Sequence, residues 1–212
     1  MRKLAYLFLL LITVCTFSSC AWVSHKNFEK PKKVTIGKEN LVSPFGENFT
    51  KAMFKTRLRY KDSYFSGIVL IKRVGAGHHR ITFLNEMGLK LMDLEFMPKS
   101  FQVHHCLEAL NRKLLIATLE RDLRLLLMQN LEGKDAKVYD DLCESRNLYR
   151  MKQKEGVVYY FQDAPAVTRI ETAAILPVKV TLILSAFREG FPWKVVIDHR
   201  PVKLQITLER IK

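Results

Sequence analysis

Residues 50–61, TKAMFKTRLRYK, decide the fold, because apolar and basic side chains alternate along them. Every second residue from Ala52 to Tyr60 is apolar or a threonine, and lysine or arginine fills most of the positions between them. A period of two residues places successive side chains on opposite faces of a β-strand. The stretch therefore predicts a half-buried strand with a basic outer face.

Similar strands follow, first directly after this one and again in the C-terminal part of the chain. Short apolar or alternating runs are separated by tight turns such as Asp62-Ser63 and Gly75-Ala76-Gly77, which is typical of an antiparallel meander. We expect about 11 strands in total. They are predicted at 50–61, 64–74, 79–84, 89–96, 101–105, 148–153, 157–161, 168–173, 178–187, 194–198 and 202–211.

A helical insertion separates the two sets of strands. Residues 106–131 contain no glycine or proline, and their leucines recur at helical spacing in two stripes that drift apart. We expect a helix over about 107–131, bent or divided in two, that packs in or over the concave face of the sheet. Residues 134–147 favour neither a helix nor a strand.

The N-terminus is typical of an export signal. Arg2 and Lys3 precede an apolar run, Leu4–Val14, that is too short to span a bilayer as a helix. Residues 17–20, Phe-Ser-Ser-Cys, resemble a bacterial lipobox, which implies cleavage after residue 19 and acylation of Cys20. Two or more acyl chains anchor a protein stably in a membrane. The alternative is an ordinary secretory signal followed by an incidental cysteine.

The chain accordingly divides into a signal peptide (1–19), an acylated and basic tether (20–48) and one β domain with a helical insertion (49–212). The lysines of the tether either attract anionic head groups or belong to a solvated linker. The absence of an acidic run after Cys20 favours a lipid-anchored protein that faces the periplasm. We expect it to be a monomer.

Two of the four cysteines, Cys106 and Cys143, remain in the predicted domain after export. In an oxidising periplasm they either form one disulfide or stay as two buried thiols. Their spacing in the sequence does not distinguish these alternatives, because it does not give the distance between them in the fold.

No pattern in the sequence points to catalysis or to a metal. His78-His79 and His104-His105 are adjacent pairs near strand ends, so each pair offers at most one ligand to either face. No cysteine or carboxylate stands at ligand spacing beside them, and a metal site needs three or four converging ligands. The nucleophile-elbow, P-loop, dinucleotide-binding and zinc-protease motifs are absent. We expect no enzymatic activity, no cofactor and no metal.

The order of these features resembles the outer-membrane lipoprotein receptor and carrier family, the LolB- and LolA-like proteins. A lipobox, a basic first strand, a meander, a helical insertion and a second set of strands follow one another as in that family, over about residues 49–212. The receptor family has a turn, often Pro-Leu-Gly, that carries an exposed apolar residue. Met87 and Gly88 match its leucine and glycine, whereas Glu86 departs from its proline.

The resemblance implies a curved, unclosed antiparallel barrel whose concave face is filled partly by the helix and partly by acyl chains. It implies a lipoprotein, anchored to the bacterial outer membrane, that binds acyl chains or lipoproteins and inserts lipoproteins into that membrane. The turn at Met87, Gly88 and Leu89 would contact the membrane or the cargo. The candidate cavity-lining residues are Phe54, Leu58, Val69, Ile71 and Phe83.

A dry core, with the helix packed directly on the sheet, is the alternative, and it corresponds to a structural or interaction module of the envelope. The net charge of +14 at first favours nucleic acid, but an exported lipoprotein meets lipid or lipopolysaccharide phosphates instead. We therefore assign Lys55, Arg57 and Arg59 on the first strand to head-group contact. No nucleic-acid partner is expected.

Overall fold

The computed structural model describes residues 30–37, 40–46, 48–131, 133–140, 146–153, 156–163, 166–173 and 180–211. These residues form one antiparallel sheet of 13 strands and one α-helix. The predicted signal peptide, Cys20 and Cys143 lie outside the described residues. Within the described ranges, no helix has the length and apolar character needed to cross a membrane.

The helix α1 spans Lys113–Leu126, between the sixth and seventh strands. The strands are β1 Lys32–Thr35, β2 Lys51–Tyr60, β3 Ser63–Gly75, β4 His78–Leu84, β5 Lys90–Phe96, β6 Phe101–Cys106, β7 Asp135–Asp140, β8 Arg146–Gln153, β9 Gly156–Asp163, β10 Ala166–Ala173, β11 Val180–Ser185, β12 Lys194–His199 and β13 Leu204–Arg210.

Neighbouring strands of the sheet follow the order β1-β7-β8-β9-β10-β11-β12-β13-β2-β3-β4-β5-β6. The meanders β2–β6 and β7–β13 are joined where β13 pairs with β2, so the last strand lies beside the basic strand near the start. Strands β1 and β6 are the two edges, and the sheet is not closed into a barrel. The predicted fold class, an unclosed antiparallel sheet with one helical insertion, is confirmed.

Two short strands, β1 and β7, were not predicted. They pair with each other, and the apolar side chains that follow β1, Ile36, Leu41 and Phe45, are buried. Part of the segment expected to be a tether, 20–48, is therefore packed into the domain. This packing was not predicted because the apolar residues of the segment stand singly among lysines, glycines and prolines.

The helix is shorter than the predicted 107–131, and it is a single helix. Leu107 begins a separate turn in which its carbonyl accepts bonds from the amides of Leu110 and Asn111. Arg112 is extended, and Met128 lies after the helix with a positive φ. The leucines from 107 to 114 thus have helical spacing but occupy a turn and the first residues of α1.

The core lies between α1 and the concave face of the sheet. Leu115, Leu119 and Leu126 of α1 are at most 1% exposed. Burying a leucine side chain contributes about 1.5–3 kcal/mol relative to leaving it in water. Because Arg112 provides no side-chain cap, apolar packing rather than capping holds α1 in place.

Candidate functional site

A small apolar cavity of about 30 Å³ lies between α1 and the middle of the sheet. Its walls come from β2, β3, β4, β5 and β13, and its roof from Leu119 and Leu123 of α1. The one polar side chain on the wall, Thr56, donates its hydroxyl to the carbonyl of Phe54 at 3.1 Å. A volume of about 30 Å³ matches the share of one water molecule in the liquid, so the cavity as it stands holds no acyl chain.

Four of the five predicted cavity-lining residues lie on this wall. They are Leu58, Val69, Ile71 and Phe83. Phe54 is buried on the same face of β2, but it is not among the residues that line the cavity. The alternation of β2 explains the result, since every second residue from Ala52 to Tyr60 points to the concave side.

The C-terminal end of α1 is fixed to the sheet through Arg124. Its Nη1 donates to the carbonyl of Met97 at 3.0 Å and its Nη2 to that of Ser100 at 2.7 Å. The guanidinium also lies 5.7 Å from the ring centre of Phe96. These contacts hold this end of the helix against the turn between β5 and β6.

A buried polar pair ties the middle of α1 to β12. His199 Nδ1 donates to Asp122 Oδ2 at 2.9 Å, and the two side chains are 1% and 0% exposed. Arg121 Nη2 lies 3.4 Å from His199 Nε2, and Arg121 Nε lies 3.7 Å from the second oxygen of Asp122. An arginine can only donate and a carboxylate accepts, so Nε2 of His199 faces a donor and Nδ1 faces an acceptor.

The turn between β4 and β5 presents two apolar side chains to solvent. Met87 is 86% exposed and Leu89 62%. The side-chain oxygen of Asn85 accepts bonds from the amides of Met87 at 3.0 Å and Leu89 at 2.8 Å. Gly88 takes a φ of +81°, which suits a residue without a Cβ. The turn is therefore tightly bonded internally, and its apolar groups face outward.

Other exposed apolar residues lie at the same end of the strands, which we call the tip. Tyr64 starts β3, Leu107 follows β6 with its amide bonded to the carbonyl of Leu91, and Leu114 belongs to the first turn of α1. All three side chains are exposed. Together with Met87 and Leu89 they give the tip an apolar surface.

Three lysines, Lys61, Lys90 and Lys203, lie at the same end of the strands as this apolar surface. The amide of Lys61 donates to the carbonyl of Lys203 at 2.9 Å, which joins the β2–β3 and β12–β13 turns at the tip. Lys90 starts β5 and donates to Asp93, whose carboxylate also accepts two bonds from Arg80. The Arg80 bonds, followed by that of Lys90, hold the pKa of Asp93 well below its usual range.

The three predicted head-group cations lie on the convex face of β2. Lys55, Arg57 and Arg59 are exposed, as the alternation predicts. Arg57 Nη2 donates to Glu209 on β13 at 2.8 Å, so that charge is largely neutralised. Arg59 is the closest of the three to the tip, because it pairs with Tyr64.

Strand pairing brings two histidines onto one carboxylate, which sequence spacing did not reveal. His78 Nε2 lies 2.7 Å from one oxygen of Glu95, and His104 Nε2 lies 2.5 Å from the other. The bond from His104, followed by that from His78, lowers the pKa of Glu95. Among the residues that the structure describes, no group of three or more side chains is placed to hold a metal ion.

Cys106 ends β6 with a half-buried side chain, and it has no disulfide partner among the residues that the structure describes. Burial raises the pKa of this thiol, so it is less reactive than an exposed cysteine. Its predicted disulfide partner, Cys143, lies outside the described residues, and the disulfide stays a prediction.

Comparison with solved structures finds a neighbour that is similar to this chain over most of its length. The chain matches no protein-family model and no curated protein. A domain from Vibrio parahaemolyticus, provisionally assigned as an outer membrane lipoprotein-sorting protein, superposes with a TM-score of 0.40 and 9% identity. The match covers 79% of this chain and 86% of that domain. Membership of the lipoprotein receptor and carrier family therefore stays a prediction.

Proposed function

We propose that this protein is a lipid-anchored protein of the bacterial envelope that binds acyl chains beneath α1 and docks on a membrane through the tip. One observation carries the proposal: an apolar concave face is roofed by a single amphipathic helix, and apolar side chains are exposed at the end of the same strands. Acyl chains fit the first surface and a bilayer interface fits the second.

The exposed apolar side chains of the tip are best explained by a binding partner that covers them. Single exposed apolar residues are ordinary, but a group of them at one end of a domain marks an interaction surface. Met87 and Leu89 project from a turn that is bonded to its own Asn85, so they do not fold back onto the sheet. Neighbouring cations, including Lys61 and Lys203, complement the phosphates of anionic head groups at short range.

Binding an acyl chain requires α1 to move away from the sheet. The cavity under Leu119 and Leu123 has the volume of about one water molecule, whereas an acyl chain is many times larger. When the helix lifts, methylene groups of the lipid take the place of leucine side chains against the same apolar wall. One apolar contact is exchanged for another, so the net free energy is small and relative affinity sets the direction of transfer.

The first test is lipid retention by the chain from residue 21 onward, purified from cells without its acylated cysteine. We expect mass spectrometry to find bound lipid, and we expect a fluorescent fatty acid to gain intensity on binding. A preparation with neither bound lipid nor probe uptake would contradict acyl-chain binding.

Charging the tip is the second test. Replacing Met87 and Leu89 together by glutamate is expected to weaken binding to phosphatidylglycerol vesicles at least tenfold, because carboxylates oppose both the apolar interface and its charge. Thermal stability should stay within a few degrees, since both side chains are exposed. Val74→Glu is the matched control, because Val74 is 52% exposed at the opposite end of the strands. Equal losses in the control and the double variant would argue against docking through the tip.

A dry-cored interaction module is the second candidate, and the size of the cavity favours it. In that case the tip contacts a protein of the envelope, and α1 stays in place. Crosslinking through a photoreactive residue at position 87 distinguishes the two. Lipid adducts support the membrane-docking proposal, whereas a single protein adduct without bound lipid supports the module.

A further inference from the structure

His79 is buried where three segments of the chain meet. It lies near the start of β4 and is 3% exposed. Its Nε2 lies 2.9 Å from the carbonyl oxygen of Phe45, in the segment before β2. Its Nδ1 lies 3.4 Å from the side-chain nitrogen of Gln129, in the turn after α1. One imidazole thus joins the N-terminal segment and the end of the helix to the sheet.

The surrounding bonds specify which ring nitrogen carries the proton. A carbonyl oxygen only accepts, so Nε2 must donate to Phe45. The amide of Gln129 is oriented by two other bonds, since Arg124 Nη1 donates to its oxygen at 2.7 Å and its nitrogen donates to Gly77 at 2.8 Å. Nδ1 therefore faces an N–H group and accepts from it. These contacts suit a neutral imidazole.

Among the described residues, a second proton on His79 has no acceptor. It would sit on Nδ1 and point at the amide N–H of Gln129. The charged or titratable groups that the structure describes around the ring are basic: Arg73 on β3, His78 on β4, and Arg124 behind Gln129. Phe96 of β5 lies opposite, and the N-terminal segment offers the carbonyl that Nε2 already uses. Burial lowers the pKa of His79, the bond to the Phe45 carbonyl partly opposes that shift, and Arg73 and His78 lower the pKa further.

We propose that His79 is a proton-sensitive clasp that releases the N-terminal segment, residues 40–46 and 48–49, from the sheet when the surroundings become acidic. Protonation makes the ring leave its site, and the carbonyl of Phe45 then loses its donor. Phe45 packs edge-to-face on Phe49, with ring centres 5.1 Å apart, so the two aromatic side chains are released together. The segment connects the predicted anchor at Cys20 to β2, and each freed residue adds up to about 3.3–3.6 Å of reach.

The direction of the effect follows from proton binding. Because the clasped state holds His79 neutral, it binds fewer protons than the released state, and acidification favours release. The contribution to stability is present above the ordinary histidine pKa of about 6.5 and is lost as the pH falls below it. As long as the clasped ring stays neutral, one pH unit below that value favours release by about tenfold. The proposal does not depend on lipid binding.

Hydrogen exchange of the full chain in detergent tests the clasp. Between pH 7.5 and 5.5, after correction for intrinsic rates, peptides covering 40–50 are expected to lose protection by about tenfold. Peptides from β11–β13 should stay protected, which separates local release from global unfolding. His79→Gln keeps a donor for Phe45 but does not titrate, so its 40–50 protection should not change with pH. His105→Gln, at an exposed histidine that is bonded to the Lys90 carbonyl and not to this cluster, should respond as the wild type does.

Two outcomes would overturn the clasp. One is unchanged protection of 40–50 in the wild type between pH 7.5 and 5.5, and the other is an acid response in His79→Gln equal to that of the wild type. If His79→Gln does not fold, NMR of the wild-type imidazole nitrogens replaces it. The ring should carry its proton on Nε2 at pH 7.5, and its protonation should coincide with a shift of the Phe45 amide. A ring that titrates without that shift counts against the proposal.

Discussion

Replacing His199 by alanine is expected to lower the free energy of unfolding by about 3–5 kcal/mol, the cost of leaving a buried charge without its partner. Asp122 is fully buried in the middle of α1, and the variant removes the donor that lies 2.9 Å from its Oδ2. Arg121 remains, but its Nε lies 3.7 Å from the other carboxylate oxygen. Urea unfolding at pH 7.5 measures the difference.

A double substitution shows whether the loss of stability comes from the unpaired carboxylate of Asp122 or from the cavity left by the His199 ring. Replacing Asp122 by leucine and His199 by phenylalanine removes both polar groups, and it should recover most of the loss, because apolar replacements of a buried pair are often neutral. Glu120→Ala is the control on the same helix. Its partly exposed pair with Arg124 is worth about 0.3–0.5 kcal/mol. A loss below about 1 kcal/mol in His199→Ala would show that the pair does not hold α1.

The strands were predictable because burial follows an alternation that is visible in the sequence. In β2, the buried residues are every second one from Ala52 to Tyr60. The edge strand β1 was missed for the opposite reason. β1 has four residues, of which Val34 alone is partly buried. Such a short strand shows no alternation of apolar and polar residues from which it could be predicted. The ends of α1 were missed because Leu107 and Leu110 have helical spacing within a turn.

The candidate site was predictable where the alternation of a single strand or the residues of a single turn carry it. The turn at Met87 and Leu89 is continuous in sequence, and the resemblance pointed to it. The polar contacts that fasten α1 and the N-terminal segment join distant residues: Asp122 to His199, and His79 to Phe45. Each of these polar side chains stands on an apolar face. A polar residue on an apolar face predicts a buried polar group. It does not predict which residue that group contacts, because the contacts depend on the order of the strands in the sheet.

Gly67→Ala is expected to destabilise the domain by about 3 kcal/mol or more and to displace the tip turn. A Cβ at this position would lie 2.0 Å from the carbonyl oxygen of Leu84 and 2.7 Å from the Cα of Asn85. Both atoms belong to the backbone, so no side chain can rotate away. Gly67 also has a φ of +152°, which other residues rarely adopt.

The clash lies where β4 leaves β3 and the turn with Met87 begins, since the pairing of these strands ends at Ile68 and Leu84. Relief requires β3 and the end of β4 to separate, so vesicle binding should fall together with stability. Gly88→Ala is the matched control, because Gly88 also has a positive φ but no atom within 4 Å of the added Cβ. Its cost is backbone strain alone, about 1–2 kcal/mol. Equal unfolding free energies for the two variants would show that the close approach at Gly67 does not position the turn.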